Sequence, residues 1–187
     1  MLILASASPR RLDLLRQIGL EPDRIVATAV DETPTRGELP GPHAGRLAAA
    51  KAAAAAADHP DGCVVGADTV VACGRRILPK AQTEAVARTC LALLSGRRHR
   101  VYGGVCVIAP GGRTACRIVQ TAVTFKRLTA AETDRYIAAG EWRGKAGGYA
   151  IQGRAAAFVR RLNGSYSNVV GLPLFETAAL LRGVGVG

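Results

Sequence analysis

The sequence has 187 residues, enough for one domain or two small lobes built around a real hydrophobic core. Hydrophobic residues make up 49% of the chain and aromatic residues only 4%, so the core must consist largely of Ala, Val, Leu and Ile. No apolar run approaches the roughly 18 residues that span a bilayer, and no basic segment precedes an apolar one at the amino terminus. These features argue against a membrane protein and against a secretory signal.

The net charge of +11 comes mostly from arginines scattered along the chain. Their clusters are short, and no basic tail or aromatic stacking platform accompanies them, so we expect no specific nucleic-acid partner. The five cysteines are odd in number and include no C-x-x-C pair. This pattern favours reduced, buried thiols in a cytoplasmic protein over zinc sites or disulfides.

Alternating strand and helix signals favour an α/β fold. In the first part of the chain, the patterns predict a strand at 1–4, a helix at 9–18, a strand at 24–30, a helix at 43–57, and a strand at 63–73 with a polar break. In the rest of the chain, they predict a short strand at 75–78, a helix at 83–94, a hairpin of strands 100–109 and 114–125, a helix at 129–140, a hairpin at 148–162 and a helix at 173–182. Several antiparallel hairpins among helices indicate a mixed sheet flanked by helices in a single domain, 1–187. The chain lacks the glycine-rich motifs of dinucleotide-binding folds and P-loops.

The stretch ASASPRR, residues 5 to 11, contains a predicted helix start. Ser8 is suited to cap the helix, and Pro9 is suited to its first turn because proline has no N–H to satisfy. Hydroxyls and the guanidiniums of Arg10 and Arg11 then gather at the positive end of a helix dipole. This combination suits an anion such as phosphate, although a capped helix with two solvated arginines fits the same pattern.

Asp68 interrupts the otherwise apolar strand VVGADTVV. Burying an unpaired carboxylate costs several kcal/mol, roughly, so this residue needs a cation or donors beside it. The alternative is an aspartate at a bend, bonded to local backbone. Asp31 and Glu32 follow a predicted strand, and if they converge on Asp68 the carboxylates would suit Mg²⁺ or Mn²⁺.

Three other residues have a side chain suited to binding a nucleotide. Lysine is scarce, and Lys51 and Lys80 are point charges of the kind that bind phosphate, although a solvated side chain is the ordinary reading of Lys51. Gln152 lies in the glycine-rich stretch GKAGGYAIQG, where its amide could donate to and accept from a pyrimidine edge. A glutamine on the open face of a hairpin is the plainer interpretation.

Six motifs taken together resemble the Maf family of nucleoside triphosphate pyrophosphatases. They are LASASPRR, VDE, VVGADTVV, the lysine after RIL, GKAGGYAIQG and NGSYSNVVGLP, and they follow one another in this order from residue 2 to about residue 177. The resemblance implies hydrolysis between the α and β phosphates, a divalent cation (Mg²⁺ or Mn²⁺), a cytoplasmic location, a homodimer and an elongated two-lobed fold with a central cleft.

The resemblance also implies roles for individual residues. Ser6, Arg10 and Arg11 match the phosphate-binding start of the family, Asp68 its proton acceptor, and Lys51 and Lys80 its two lysines. Glu32 matches the acidic residue that would hold the metal together with Asp68. Arg11, Thr69 and Gln152 match positions linked to substrate choice, and the IQG form resembles the branch that acts on dTTP and UTP.

Two features of the chain depart from the family pattern, namely Pro79-Lys80-Ala81 where G-K-P is usual and Gly144 where an acidic residue is frequent. Three alternative functions stay open from sequence. They are hydrolysis of 7-methyl-GTP, removal of only the terminal phosphate, and non-catalytic binding of nucleotides or nucleic acid.

Overall fold

The computed structural model describes residues 1–186. The strands are β1 (Leu2–Ala5), β2 (Arg24–Ile25), β3 (Cys63–Cys73), β4 (Arg76–Leu78), β5 (Arg98–Ile108), β6 (Thr114–Phe125) and β7 (Val159–Asn163). The helices are α1 (Pro9–Gln17), α2 (Pro40–Ala57), α3 (Glu84–Leu94), α4 (Ala130–Ala139), α5 (Tyr166–Val170) and α6 (Leu174–Gly183), and a 3₁₀ helix spans Arg154–Phe158. Within residues 1–186, no helix combines the length and apolar character needed to cross a membrane.

All seven strands belong to one mixed sheet, which confirms the predicted α/β fold. The order is β2-β1-β3-β5-β6-β7, and β4 pairs with the end of β3. β1 runs parallel to both β2 and β3, whereas β3 to β7 pair in antiparallel fashion. Neighbouring residues of a strand point to opposite faces of the sheet, and at the centre of this sheet both faces are covered by helices. Val105 and Val107 pack with residues of α1 and α6, whereas Cys106 packs with residues of α2.

Strand β3 runs without a break through the predicted polar interruption. Its first half pairs with β1, its last residues pair with β4, and Asp68 lies opposite Gly104 of β5. The strand continues because β5 pairs with it from Val64 to Ala72, through Asp68, and the Asp68 side chain lies in the interior, 3% exposed.

Helix α2 lies unusually close to the sheet, and two glycines make this approach possible. A Cβ atom at Gly66 would lie 2.3 Å from the carbonyl oxygen of Ala48, and one at Gly104 would lie 2.1 Å from that of Ala44. Real side chains cannot tolerate such distances, so only glycine fits at these positions of β3 and β5. The close contact brings Lys51 of α2 directly against Asp68.

Three predicted elements differ from the structure. β2 ends at Ile25 instead of residue 30, because the chain then leaves the sheet as an irregular loop that carries Glu32. α2 begins at Pro40, since proline is well suited to the first helical turn. The predicted hairpin at 148–162 is wrong: Gly147 and Gly148 adopt left-handed φ angles of 67° and 70°, a 3₁₀ helix follows, and only the last part is a strand.

Two expectations about side chains are also corrected. Cys106 and Cys116 lie opposite each other in the β5–β6 register and form a disulfide, whereas Cys63, Cys73 and Cys90 are free thiols. The sequence spacing did not reveal that the hairpin register aligns these two residues. Ser8 occupies the N-cap position of α1 without a side-chain capping bond, and its own N–H donates to Ser6 Oγ at 3.2 Å.

Candidate active site

A cleft with a volume of about 400 Å³ opens beside the carboxyl ends of β1 and the middle of β3. Its walls come from the β1–α1 connection, the loop after β2, the segment after β4, the glycine-rich stretch 143–152 and the end of α5. The cleft brings together nine of the residues that the sequence singled out, namely Ser6, Arg10, Arg11, Glu32, Lys51, Asp68, Thr69, Lys80 and Gln152, whereas Asp31 does not line it.

Lys51 links the two carboxylates of the cleft. Its Nζ donates to Asp68 Oδ1 at 2.6 Å and to Glu32 Oε1 at 2.7 Å. The Lys51 and Asp68 side chains are only 8% and 4% exposed. The ammonium therefore supplies the cation that a carboxylate buried in β3 requires, and the local-bend interpretation of Asp68 is wrong.

Glu32 accepts hydrogen bonds from two lysines, Lys51 and Lys80. Partial burial opposes ionisation of the carboxyl group, but the bonds from both lysines outweigh it and lower the pKa of Glu32 to about 2. Glu32 is therefore ionised at neutral pH. Its neighbour Asp31 is exposed and accepts the N–H of Thr33 at 2.9 Å, so only one of the two acidic residues faces the cleft.

Arg11 is a buried residue held by three oxygen atoms. Its Nε donates to the Gly171 carbonyl at 2.9 Å, Nη1 to Ser6 Oγ at 2.8 Å and Nη2 to Thr69 Oγ1 at 3.3 Å. Thr69 in turn donates to the same Gly171 carbonyl at 3.3 Å. These contacts fix the guanidinium between α1, β3 and the end of α5.

Arg10 lies beside it and donates from Nε to the Val170 carbonyl at 3.3 Å. Burial lowers the pKa of both Arg10 and Arg11, because removing a guanidinium from water disfavours its charged form. An anion that enters the cleft would relieve this cost, so the geometry favours the anion-site interpretation over solvated arginines.

Two cationic residues of the cleft, Arg143 and Lys145, were not assigned a role from sequence. Burial, followed by repulsion from Arg10, lowers the pKa of Lys145. The sequence signal for Lys145 was its place in GKAGGYAIQG, among the glycines of a stretch that lines the cleft. This stretch lies alongside the segment Pro79-Lys80-Ala81. Lys80 pairs with Ala146, and the Ala81 N–H donates to the Lys145 carbonyl at 3.0 Å.

The same stretch holds the segment Pro79-Lys80-Ala81, where the sequence departs from the family pattern. The N–H groups of Gly147 and Gly144 donate to the carbonyls of Pro79 and Ala81, at 3.0 and 2.8 Å. Ala81 is fully buried, where its small side chain fits the core below the cleft. The segment is thus held by backbone bonds on both sides of Lys80.

Gln152 lies on a turn at the mouth of the cleft with its side chain exposed. The cleft as a whole contains six cationic side chains and two carboxylates. The excess of positive charge matches the roughly four negative charges that a triphosphate carries near neutral pH.

The chain resembles proteins of one family over almost its whole length. The model of the Maf family, described as Maf-like protein, matches residues 1–184. The dTTP/UTP pyrophosphatase of Paramagnetospirillum magneticum is 68% identical, covering 99% of this chain and 97% of the relative. The dTTP/UTP pyrophosphatase of Rhodospirillum rubrum is 64% identical, covering 98% and 88%.

Among solved structures, a nucleoside-triphosphatase, dITP/XTP pyrophosphatase, of Mycobacterium abscessus is a distant match. It is 18% identical with a TM-score of 0.45, covering 69% of this chain and 74% of that one. The match to the family model and the two sequence relatives cover the cleft and every motif that lines it. This chain therefore belongs to the Maf family.

Proposed function

We propose that this protein is a nucleoside triphosphate pyrophosphatase that hydrolyses dTTP and UTP to the nucleoside monophosphate and pyrophosphate. The observation that carries the proposal is the cleft itself, which six cationic side chains line and in which one of them, Lys51, links the buried Asp68 to the partly exposed Glu32. The names of the two relatives, both dTTP/UTP pyrophosphatases, support the choice of substrate.

Glu32 and Asp68 are the residues that would hold a divalent cation. Within residues 1–186, no group of three or more His, Cys, Asp or Glu side chains is arranged to hold a metal ion. The pair still fits Mg²⁺ or Mn²⁺, because these hard cations are often bound by one or two carboxylates together with substrate phosphates and water. When bound, such a cation neutralises phosphate charge and lowers the pKa of water.

Asp68 is the proton acceptor in this mechanism. A water molecule attacks the α phosphorus while Asp68 takes one of its protons. The bond between the α phosphorus and the bridging oxygen to the β phosphate breaks, and pyrophosphate leaves with the electron pair. The buried position of Asp68 excludes other water from the carboxylate and keeps its orientation fixed.

The cationic residues stabilise the negative charge that develops on pyrophosphate. In this mechanism Arg10, Arg11 and Lys80 bind the phosphates, and Lys145, which lines the same cleft, shares this task. Because the guanidinium of Arg11 is already fixed by Ser6 and Thr69, little reorganisation is needed during the reaction.

Lys51 orients the two carboxylates, and Gln152 selects the base through the N–H and carbonyl edge of the pyrimidine. Arg11 and Thr69, which are hydrogen-bonded to each other, also contribute to substrate choice. The proposal includes a cytoplasmic location and a homodimer, as the family resemblance implies.

The direct test is incubation of the purified protein with dTTP, UTP, 7-methyl-GTP, dCTP, dATP and GTP in the presence of Mg²⁺ or Mn²⁺, followed by product identification. We expect monophosphate and pyrophosphate in equal amounts, with the highest kcat/KM for dTTP and UTP. Treatment with EDTA should abolish turnover, and either cation should restore it.

Other outcomes of this assay would overturn the proposal. Inorganic phosphate and a nucleoside diphosphate would identify a terminal phosphatase, and a preference for 7-methyl-GTP would assign the other substrate branch. Absence of turnover together with steeply salt-dependent binding of DNA or RNA would identify a polyanion-binding regulator.

A further inference from the structure

Gln152 occupies the middle of a tight turn that has one anchor on each side. The turn is closed by the Gly153 N–H, which donates to the Ala150 carbonyl at 3.1 Å. One of these two contacts comes from a residue of α4 and the other from the residue that follows its C-cap, Gly140. The position of the amide therefore depends on residues that do not themselves line the cleft.

The first anchor is the hydroxyl of Tyr136, which accepts the Ala150 N–H at 3.1 Å. Tyr136 lies in α4, is 2% exposed, and packs edge-to-face on Phe158 with ring centroids 5.4 Å apart. Burial raises the pKa of Tyr136 to about 12, so the hydroxyl stays protonated at neutral pH. The ring is fixed by packing, and its oxygen fixes the backbone two residues before Gln152.

The second anchor is the carboxylate of Glu141, which follows the glycine that ends α4. Its Oε2 accepts the Arg154 N–H at 2.8 Å, two residues after Gln152. The carboxylate lies directly over Gly153, where a Cβ atom would be only 2.0 Å from Oε2. A glycine at 153 is thus needed for Glu141 to reach the backbone.

We propose that Tyr136 and Glu141 are positioning residues that set the base selectivity of this enzyme by fixing both ends of the Gln152 turn. The inference rests on the proposed role of Gln152. A hydrogen bond to a base edge is directional, and a site built to make such bonds rejects a ligand that leaves its polar groups unpaired. A loosened turn lets the amide adapt to other bases, so discrimination falls while phosphate binding persists.

The test uses Tyr136→Phe, which removes only the hydroxyl that accepts the Ala150 N–H, and Glu141→Gln, which replaces the charged acceptor of the Arg154 N–H with a weaker, neutral one. The readout is the ratio of kcat/KM for dTTP to kcat/KM for dATP, with inhibition by inorganic tripolyphosphate as a measure of the phosphate site alone. We expect each variant to lower the dTTP-to-dATP ratio about fivefold or more. The tripolyphosphate inhibition constant should stay within about twofold of the wild-type value, because Arg10, Arg11 and Lys80 are untouched.

Matched controls are Tyr166→Phe, at an exposed tyrosine, and Glu84→Gln, at an exposed glutamate of α3. Both should leave the ratio unchanged. Thermal melts followed by circular dichroism report whether a variant is folded, and Glu141→Gln keeps the test open if Tyr136→Phe does not fold.

Gln152→Ala in the same assay separates the two proposals. If Gln152→Ala loses discrimination but both positioning variants keep the wild-type ratio, the positioning role is wrong and the role of Gln152 stands. An equal loss of kcat/KM for every nucleotide in both variants would mean a structural role only and would also overturn the inference. If Gln152→Ala itself keeps the ratio, the base-selecting role of Gln152 and the inference built on it both fail.

Discussion

Asp68 and Lys51 form the innermost contact of the cleft, with both side chains almost fully buried. Each charge can be buried because the other neutralises it, since an unpaired charge in the interior would destabilise the folded protein. Glu32 completes the group from an irregular loop and lies closer to solvent. This end of the cleft thus consists of three charged side chains from three different parts of the chain.

Replacing Asp68 with Asn should lower kcat by about a hundredfold or more, which corresponds to about 2.7 kcal/mol on the barrier. The amide keeps the size of the side chain but cannot take a proton from water. Steady-state kinetics with dTTP would measure the effect. Asp58→Asn, at the exposed C-cap of α2, serves as the control and should change kcat little. Near-normal turnover by Asp68→Asn would contradict its assignment as the proton acceptor.

Replacing Lys51 with Met should make the free protein bind Mn²⁺ more tightly. The ammonium lies within 2.7 Å of both carboxylates and acts as a tethered cation at the place where a metal would compete for them. Its loss leaves two carboxylates without that compensation, so we expect Mn²⁺ affinity at about pH 8 to rise several-fold, roughly. Electron paramagnetic resonance of unbound Mn²⁺ measures this without substrate.

The control for this variant is Lys126→Met, which removes a lysine paired with Glu132 outside the cleft. Glu32→Gln should instead weaken Mn²⁺ binding, because one oxygen ligand loses its charge. Equal or weaker Mn²⁺ binding by Lys51→Met would show that the lysine does not compete with the metal.

At the scale of elements, the loop between β2 and α2 is held by a small network around Glu38. This carboxylate, 8% exposed, accepts Arg46 Nε at 2.7 Å, His43 Nδ1 at 2.9 Å and the Thr35 N–H at 2.9 Å. Arg46 also donates to the Thr33 carbonyl at 3.0 Å. The network attaches the loop that carries Glu32 to α2, the helix that carries Lys51.

Glu38→Gln should therefore loosen the loop and lower kcat, by about tenfold, with a smaller change in KM. Hydrogen exchange would show faster exchange of the loop amides at 33–38. The exposed Glu84–Arg88 pair of α3 provides the control, because Glu84→Gln removes a similar ion pair without touching the loop. Unchanged exchange and unchanged kcat in Glu38→Gln would exclude this role.

A second element-scale contact connects β5 to the glycine-rich stretch. His99 Nε2 and the Tyr149 hydroxyl are 2.8 Å apart, and both rings pack edge-to-face with Phe125. Burial lowers the pKa of His99 from 6.5 to about 4. Between these two values the unfolded chain binds a proton that the folded protein does not bind, so stability must fall as the pH decreases from 6.5 towards 4.

Melting temperatures measured across this pH range should show the decrease in the wild type and a smaller decrease in His99→Gln. The comparison between the two proteins isolates the histidine, because both contain the same carboxylates. Parallel curves for the two proteins would mean that His99 does not titrate differently in the folded and unfolded states.

The sequence was sufficient to predict the mixed sheet and the long β5–β6 hairpin, and it pointed to nine residues that the structure places along one cleft, but it did not predict every element. Alternating side chains identify a strand such as β6 because the pattern is local. The stretch after Gly148 reads as a strand by the same rule, yet the left-handed glycines before it and the burial of Ala155 favour a turn and a 3₁₀ helix. The conformation of that segment is therefore determined by contacts with residues distant in sequence, which a local pattern does not show.

The geometry of the site could not be predicted from the sequence for the same reason. The motif resemblance selected Lys51 and Asp68, but their 2.6 Å contact depends on how α2 is seated on β3 and β5. Likewise, nothing local in the sequence indicates that Tyr136 hydrogen-bonds to the segment that carries Gln152. Both contacts join residues that are distant along the chain.

At the scale of the whole molecule, the seating of α2 determines whether a site forms at all. Replacing Gly104 with Ala would place a Cβ atom 2.1 Å from the backbone oxygen of Ala44, which cannot move aside as a side-chain tip could. We expect the melting temperature to fall by roughly 3 to 10 °C, and activity to fall with it, although no cleft residue is changed.

Gly183→Ala is the matched control, because a Cβ atom at that glycine of α6 meets nothing within 4 Å. Its melting temperature should stay the same or rise slightly, since alanine favours helix more than glycine does. A Gly104→Ala protein as stable and active as the wild type would show that α2 can move away from the sheet without consequence.

The absence of side chains at Gly66 and Gly104 also limits how the cleft can adapt to its ligands. With the backbone of α2 in direct contact with β3 and β5, Lys51 and Asp68 have no room to move closer to the sheet. Nucleotides that differ in their base must then be told apart at the mouth of the cleft, where the Gln152 side chain is exposed. Two glycines distant from the mouth thus hold the buried end of the cleft constant and leave recognition of the base, as proposed above, to its exposed end.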